Sequence, residues 1–170
     1  GLVIARKFKE DNYNIRVYKL FWGQKASSNF LINEEILNNL NVDVISIEKF
    51  FDFPEIIKGD LIVDAIFGIG LSRPIDSFVI DIIKKINLSQ VLIISIDTPS
   101  GLPSEPIFKL DSNKIIKADF TLTFQLPKLS FLLPNSGNFA GNFKIIPIGL
   151  NEEYIQQKRT NNYYIDSNSI

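Results

Sequence analysis

Residues 91–102, VLIISIDTPSGL, constrain the fold more than any other stretch of this chain. Val91, Leu92, Ile93, Ile94 and Ile96 are β-branched or leucine, and Ser95 is the only polar residue before Asp97. A near-continuous apolar run over residues 91–97 predicts a central strand of a parallel sheet, covered on both faces. The run ends abruptly in Asp97, Thr98, Pro99, Ser100 and Gly101. Pro99 removes a backbone donor and Gly101 permits a positive φ, so the chain turns there. A carboxylate and two hydroxyls are thereby delivered together to the carboxyl end of a strand, the edge at which open α/β sheets bind ligands.

The rest of the chain alternates in the same way. Residues 2–9 read as the opening turns of a helix, and residues 14–20 as a strand with Ile15 and Val17. Residues 28–40 predict a helix with Leu31, Ile36, Leu37 and Leu40 as its apolar stripe. A short strand over 43–47 follows, then a buried strand over 60–67 (DLIVDAIF). Pro74 suits the first turn of the next helix, whose core face is Val79, Ile80, Ile82, Ile83 and Ile86. Phe120, Leu122 and Phe124 alternate with threonines in a further strand. A Gly/Asn-rich turn over 135–142 leads to a last strand over 143–148. Strands alternating with helices imply a parallel sheet with right-handed crossovers. The expectation is an α/β, three-layer, Rossmann-like fold with a mostly parallel sheet over residues 1–150, followed by a tail or linker over 151–170.

Composition removes several chemistries. The 170 residues contain no Cys, which excludes disulfides, thiolate nucleophiles and most zinc sites. They contain no His, so proton transfer falls to carboxylates, Lys, Tyr or water. A net charge of −1 gives no basic field for nucleic acid or an anionic membrane. No apolar run reaches the roughly 18 residues that span a bilayer, and no signal peptide is visible, so a cytoplasmic location is expected. With no Met even at position 1, the sequence is expected to be a fragment or a processed product.

Four positions stand out at one predicted sheet edge. Asp64 is an acid within an otherwise apolar strand, which is costly unless paired or bound to something. Gly68, Ile69, Gly70, Leu71, Ser72, Arg73 and Pro74 form a G-x-G-x-x-R turn between strand and helix, where backbone amides can face an anion. It lacks the third glycine of the dinucleotide fingerprint. Asp97 and Ser100 close the central strand, and Lys128 follows Pro127. Each has an ordinary alternative: a capping acid, a tight turn, an Asx turn, a solvated lysine. Their convergence on one edge favours a site.

Read in order, VDAIFGIGLSRP, ISIDTPSGL, ADFTLTFQLPK and the last strand leading to Ile148, Gly149 and Leu150 resemble the NAD(P)H-hydrate epimerase family, the YjeF-type N-terminal domain. Gly1, Leu2, Val3, Ile4, Ala5 and Arg6 resemble the helix that follows that family's Asn-Asn-Gly-Gly-Asp substrate loop. The resemblance implies that this loop and the first strand are missing from the sequence, and that residues 1–170 alone are poorly soluble and inactive. It implies an isomerase that interconverts the R and S forms of hydrated NADH and NADPH at C6 of the damaged ring. Asp64 and Ser100 would hold a potassium ion, Gly68 through Pro74 and Asp97 would line the substrate, and Asp97 and Lys128 would be catalytic. A dehydratase, fused or separate, is the implied partner, and a homodimer is one assembly the resemblance allows.

The residues themselves are compatible with this chemistry. A hard monovalent cation takes oxygen ligands, by analogy with calcium. Inverting C6 requires loss and return of its hydroxyl through a ring iminium, which needs one proton given and one taken. Asp97 and Lys128 are able to supply both. Two other readings compete. A catalytically silent nucleotide-binding scaffold would be marked by loss of Asp97 or Lys128, and both are present. An NAD(P)-dependent oxidoreductase is disfavoured by the incomplete glycine fingerprint and the absent His or Tyr-x-x-x-Lys.

Overall fold

A computed structural model describes residues 1–21, 26–68, 74–105 and 109–165. The chain opens with α1 (Leu2–Glu10), β1 (Val17–Leu20), α2 (Ser28–Asn39) and β2 (Val44–Ile47). Next come β3 (Leu61–Asp64), α3 (Ser77–Leu88), β4 (Leu92–Ile96) and β5 (Phe120–Phe124). The short helix α4 (Gly137–Ala140), β6 (Asn142–Ile146) and α5 (Glu152–Gln156) complete it. Every strand pair is parallel, as the alternating pattern requires.

Among the described residues the strands fall into two hydrogen-bonded sheets. β1 pairs with β2, starting at Val17 opposite Val44, and β3, β4, β5 and β6 form a four-stranded sheet in sequence order. β4 is therefore flanked on both sides, with Asp64 opposite Ser95 and Ser95 opposite Thr121.

The helix α3 holds these strands together. Asp76 caps its first turn by accepting from the Phe78 amide at 3.2 Å. Val79, Ile82, Ile83 and Ile86 recur at helical spacing and are all buried, in one cluster with Ile47, Ile93 and Ile116. Each such side chain contributes about 1.5–3 kcal/mol. Tyr18 and Leu20 of β1 pack on the same cluster, so both sheets share one core. Asn87 at the end of α3 donates to Ile115 O at 2.9 Å and accepts from Lys117 N at 2.8 Å, which fixes the approach to β5. A second core of Leu102, Ile115, Phe131 and Ala140 packs beneath the loops that follow β4 and β5.

Several expectations are corrected. The central strand is buried on alternate residues only. Ile93 and Ser95 face α3, whereas Leu92 is 41% exposed on the opposite face with Leu61, Phe120 and Phe124. No described helix takes that face out of water. The strand expected over 60–67 stops at Asp64, because hydrogen bonds from the Ser100 loop capture its carboxylate there. Pro74 lies ahead of α3, which starts at Ser77 because Asp76 caps it. Ile80 is only half-buried, and Leu31 of α2 is exposed, leaving Leu37 as that helix's one buried residue. The Gly/Asn-rich turn contains α4, and the strand at 14–20 is shortened to β1.

Candidate active site

Two polar constellations flank the carboxyl end of β4, one toward β3 and one toward β5. On the β3 side, Asp64 is the last residue of its strand and is 1% exposed. Its Oδ2 accepts from Ser95 Oγ at 2.7 Å and from the Ser100 amide at 2.8 Å. Its Oδ1 accepts from the Ser100 hydroxyl and, at 3.4 Å, from the Ile66 amide. The Phe67 amide donates to Ser100 Oγ at 2.9 Å, which closes the turn after β3 onto the loop after β4.

No ammonium or guanidinium group hydrogen-bonds Asp64 among the described residues. Burial therefore pushes its carboxyl above the usual carboxylate range, while hydrogen bonds from Ser100 and Ser95 pull it back. The result is a desolvated acid in a cradle built only of oxygens and amides. Such a cradle has one negative charge to offer.

Pro99 and Gly101 explain how Ser100 reaches this acid. Gly101 has φ +87°, and a Cβ there would lie 1.9 Å from Lys114 O. Only glycine allows the loop to run so close to the 112–116 segment, where Ser100 O accepts from Ile116 N at 2.9 Å.

On the β5 side, Asp97 follows β4 with φ 69°, a left-handed conformation that Asp tolerates better than most residues. Its amide donates to Leu122 O at 2.8 Å, so the turn is anchored to β5. Its Oδ1 accepts from Lys128 Nζ at 2.8 Å and from the Phe124 amide at 3.2 Å. Both partners are largely withdrawn from water, with side-chain exposures of 14% for Lys128 and 16% for Asp97.

The structure thus brings Asp64 to Ser100 and Asp97 to Lys128, along one strand edge. Gly68 and Pro74 are exposed. Ile69, Gly70, Leu71, Ser72 and Arg73 lie outside the described residues. Two contributors were missed in the sequence. Ser95 is the lone polar residue of the central run, which was its signal. Thr123 is fully buried, and its Oγ1 accepts from Lys128 Nζ at 3.0 Å; the alternating threonines of FTLTF gave no indication of a partner. A cavity of about 490 Å³ lies elsewhere, between Phe50 and the exposed side of α3, and none of these residues lines it.

No helix among the described residues is long and apolar enough to cross a membrane. Comparison with known proteins gives the architecture a context. The chain is similar to the crystal structure of yeast ynu0, YNL200c, with a TM-score of 0.65 over 99% of this chain and 69% of that one. At 19% identity this likeness shows a shared Rossmann-like α/β fold. A bifunctional NAD(P)H-hydrate repair enzyme Nnr of Dictyoglomus turgidum is 32% identical over 97% of this chain. An NAD(P)H-hydrate epimerase of Limosilactobacillus fermentum is 29% identical over 83% of it. The chain spans 31% of the first relative's length and 64% of the second's. The sequence profile described as YjeF-related protein N-terminus matches residues 1–130, more than half of the chain, and the chain belongs to that family.

Proposed function

We propose that this domain is an NAD(P)H-hydrate epimerase, interconverting the R and S forms of hydrated NADH and NADPH. The observation that carries this reading is the Asp97–Lys128 pair, held at the carboxyl edge of β4 in a chain of this family. The reaction inverts one carbon without net redox change. Its demands are a proton for the departing hydroxyl, a base for the returning water, and a negative charge near the cationic ring formed between them. Asp97 meets the last two demands as a carboxylate and the first when protonated. Gly68, Pro74 and the segment between them would border the substrate.

Potassium is the proposed ion, held by Asp64 and Ser100. The donor set fits: a single buried carboxylate, serine hydroxyls, and no cationic side chain bonded to it. One negative charge among oxygens suits a monovalent rather than a divalent ion. When bound, the ion would supply the positive charge that the buried carboxylate lacks and would brace the Ser100 loop. A dehydratase acting on the S form is the proposed partner, since the Dictyoglomus turgidum relative is described as bifunctional.

The test uses the intact gene product that contains residues 1–170. It is mixed with pure (R)-NADPHX, and the two epimers are followed by chromatography. Appearance of the S form above the spontaneous rate is expected. Epimer ratios that track the uncatalysed control would remove the proposal.

A further inference from the structure

Lys128 has more partners than an ammonium can release easily. Its three N–H donors face four acceptors: Asp97 Oδ1 at 2.8 Å, Thr123 Oγ1 at 3.0 Å, and the Phe124 and Leu126 carbonyls, both at 3.3 Å. Three of these acceptors belong to the end of β5 and the turn after it, the same segment that carries Lys128. An exposed lysine in an ordinary ion pair would contribute at most about 1 kcal/mol and swing freely. This one is withdrawn from water and committed on every side.

Asp97 shows the complementary asymmetry. Oδ1 accepts two hydrogen bonds, from Lys128 and from Phe124 N. Oδ2 accepts none from a described residue. The carboxylate is therefore fixed by one oxygen and presents the other, and its backbone is held in the left-handed region by the bond from its amide to Leu122 O. A carboxylate restrained at one oxygen, with the second available, is the arrangement expected of a proton-transfer group with its own positioning residue.

We propose that Lys128, buttressed by Thr123, is a positioning residue that clamps Asp97, and that proton exchange on Asp97's own face of the ring takes place at Oδ2 and not at Lys128. This rests on the epimerase reading. In the step, the C6–O bond breaks as Oδ2 gives its proton to the departing hydroxyl, forming water, and the ring nitrogen lone pair forms the C=N bond of the iminium. Water then adds to C6 and the C=N electrons return to nitrogen. On Asp97's face of the ring the added water gives its proton to Oδ2; on the opposite face it gives its proton to solvent, and Oδ2 regains a proton from solvent before the next turnover. Lys128 neither gains nor loses a proton.

The test has two arms. In the epimerase assay on the intact gene product, Thr123→Val removes one acceptor of the clamp at a fully buried position. It is expected to lower kcat about fivefold with KM unchanged, since a displaced hydrogen bond in the transition state is worth about 1 kcal/mol. Lys128→Ala is expected to be rescued by small primary ammonium ions at a rate independent of their basicity. A wild-type kcat in Thr123→Val, or rescue that rises with amine basicity, would overturn the clamp. The second arm needs no activity. Acetylation of residues 1–170, read by mass spectrometry, is expected to label the half-exposed Lys84 and spare Lys128, with Lys128 becoming reactive in Thr123→Val. Equal labelling of both lysines in the wild-type chain refutes the proposal. Failure of the epimerase assay with the wild-type protein would instead strike the functional reading, leaving the labelling arm to decide the clamp.

Discussion

Gly101→Ala tests the loop that delivers Ser100, and Gly59→Ala provides its control. Both glycines have a strongly positive φ, +87° and +98°. Either alanine therefore costs roughly 1–2 kcal/mol for a backbone conformation that L residues avoid. At Gly59 nothing else follows, since no atom lies within 4 Å of the added Cβ. At Gly101 the Cβ would stand 1.9 Å from Lys114 O and 2.9 Å from its carbonyl carbon, backbone atoms that cannot rotate away. Relieving that overlap adds about 1–3 kcal/mol of packing strain. Separating the loop from the 112–116 segment also strains the Ile116 N to Ser100 O bond, worth about 0.5–1.5 kcal/mol. The expected loss is about 2.5–6.5 kcal/mol for Gly101→Ala against about 1–2 for Gly59→Ala, out of a typical total of about 5–15. Urea unfolding followed by circular dichroism measures both, and melting temperatures should differ in the same sense, by about 2–4 °C per kcal/mol at this size. Losses equal within about 0.5 kcal/mol would show that the Lys114 contact does not constrain the loop.

Asp97→Asn keeps the shape and tolerates the left-handed backbone, so it should fold normally while epimerisation falls by about a hundredfold or more; chromatographic assay at wild-type rate would exclude an essential role for the carboxylate. Potassium should raise the melting temperature more than tetramethylammonium at equal ionic strength. The difference should also depend on pH. The raised carboxyl of Asp64 means that its contribution to stability is fully present below the unfolded-state pKa and is lost as pH rises through the folded value. Potassium should offset that loss, so its advantage should grow with rising pH through that window and vanish below it; an advantage that is flat with pH, or equal shifts in both salts, would remove Asp64 from the ion site. Asn87→Leu removes both bonds that tie α3 to the approach of β5 and should cost about 1–3 kcal/mol in urea unfolding; a loss under about 0.5 kcal/mol would show that the 115–117 segment is held by packing alone.

The placement of much of the candidate site was legible because strand ends are legible. Asp64, Asp97 and Lys128 each close or follow an apolar run, and parallel topology places the ends of such runs on one edge. The partnerships were not legible. That Asp64 meets Ser95 and Ser100 depends on register between strands, which no local pattern encodes, and that Thr123 supports Lys128 depends on how the turn after β5 folds back on its strand. Boundaries failed where side-chain capture overrode propensity: Asp64 ends β3 four residues after Asp60, and Asp76 delays α3 past Pro74. The central run reads as buried on both faces because hydrophobicity reports what a strand can cover. It does not report what covers it, and Leu92 remains exposed.

The uniformly parallel ladders also have a kinetic consequence. Val17 pairs with Val44, Leu61 with Leu92, Ile94 with Phe120 and Phe120 with Asn142, so every paired residue waits for a partner about twenty to thirty positions away. No two of the described strands can zip from a hairpin turn, and loop-closure entropy falls due before any ladder bond forms. Association of β3 with β4 must therefore coincide with docking of α3, whose Ile82 and Ile83 bring the two ends together. Refolding on the slow side for the chain's length follows, in milliseconds to seconds rather than microseconds. During that delay Leu61, Leu92, Phe120 and Phe124 form an adhesive surface between unfinished chains, so refolding yield should fall as protein concentration rises.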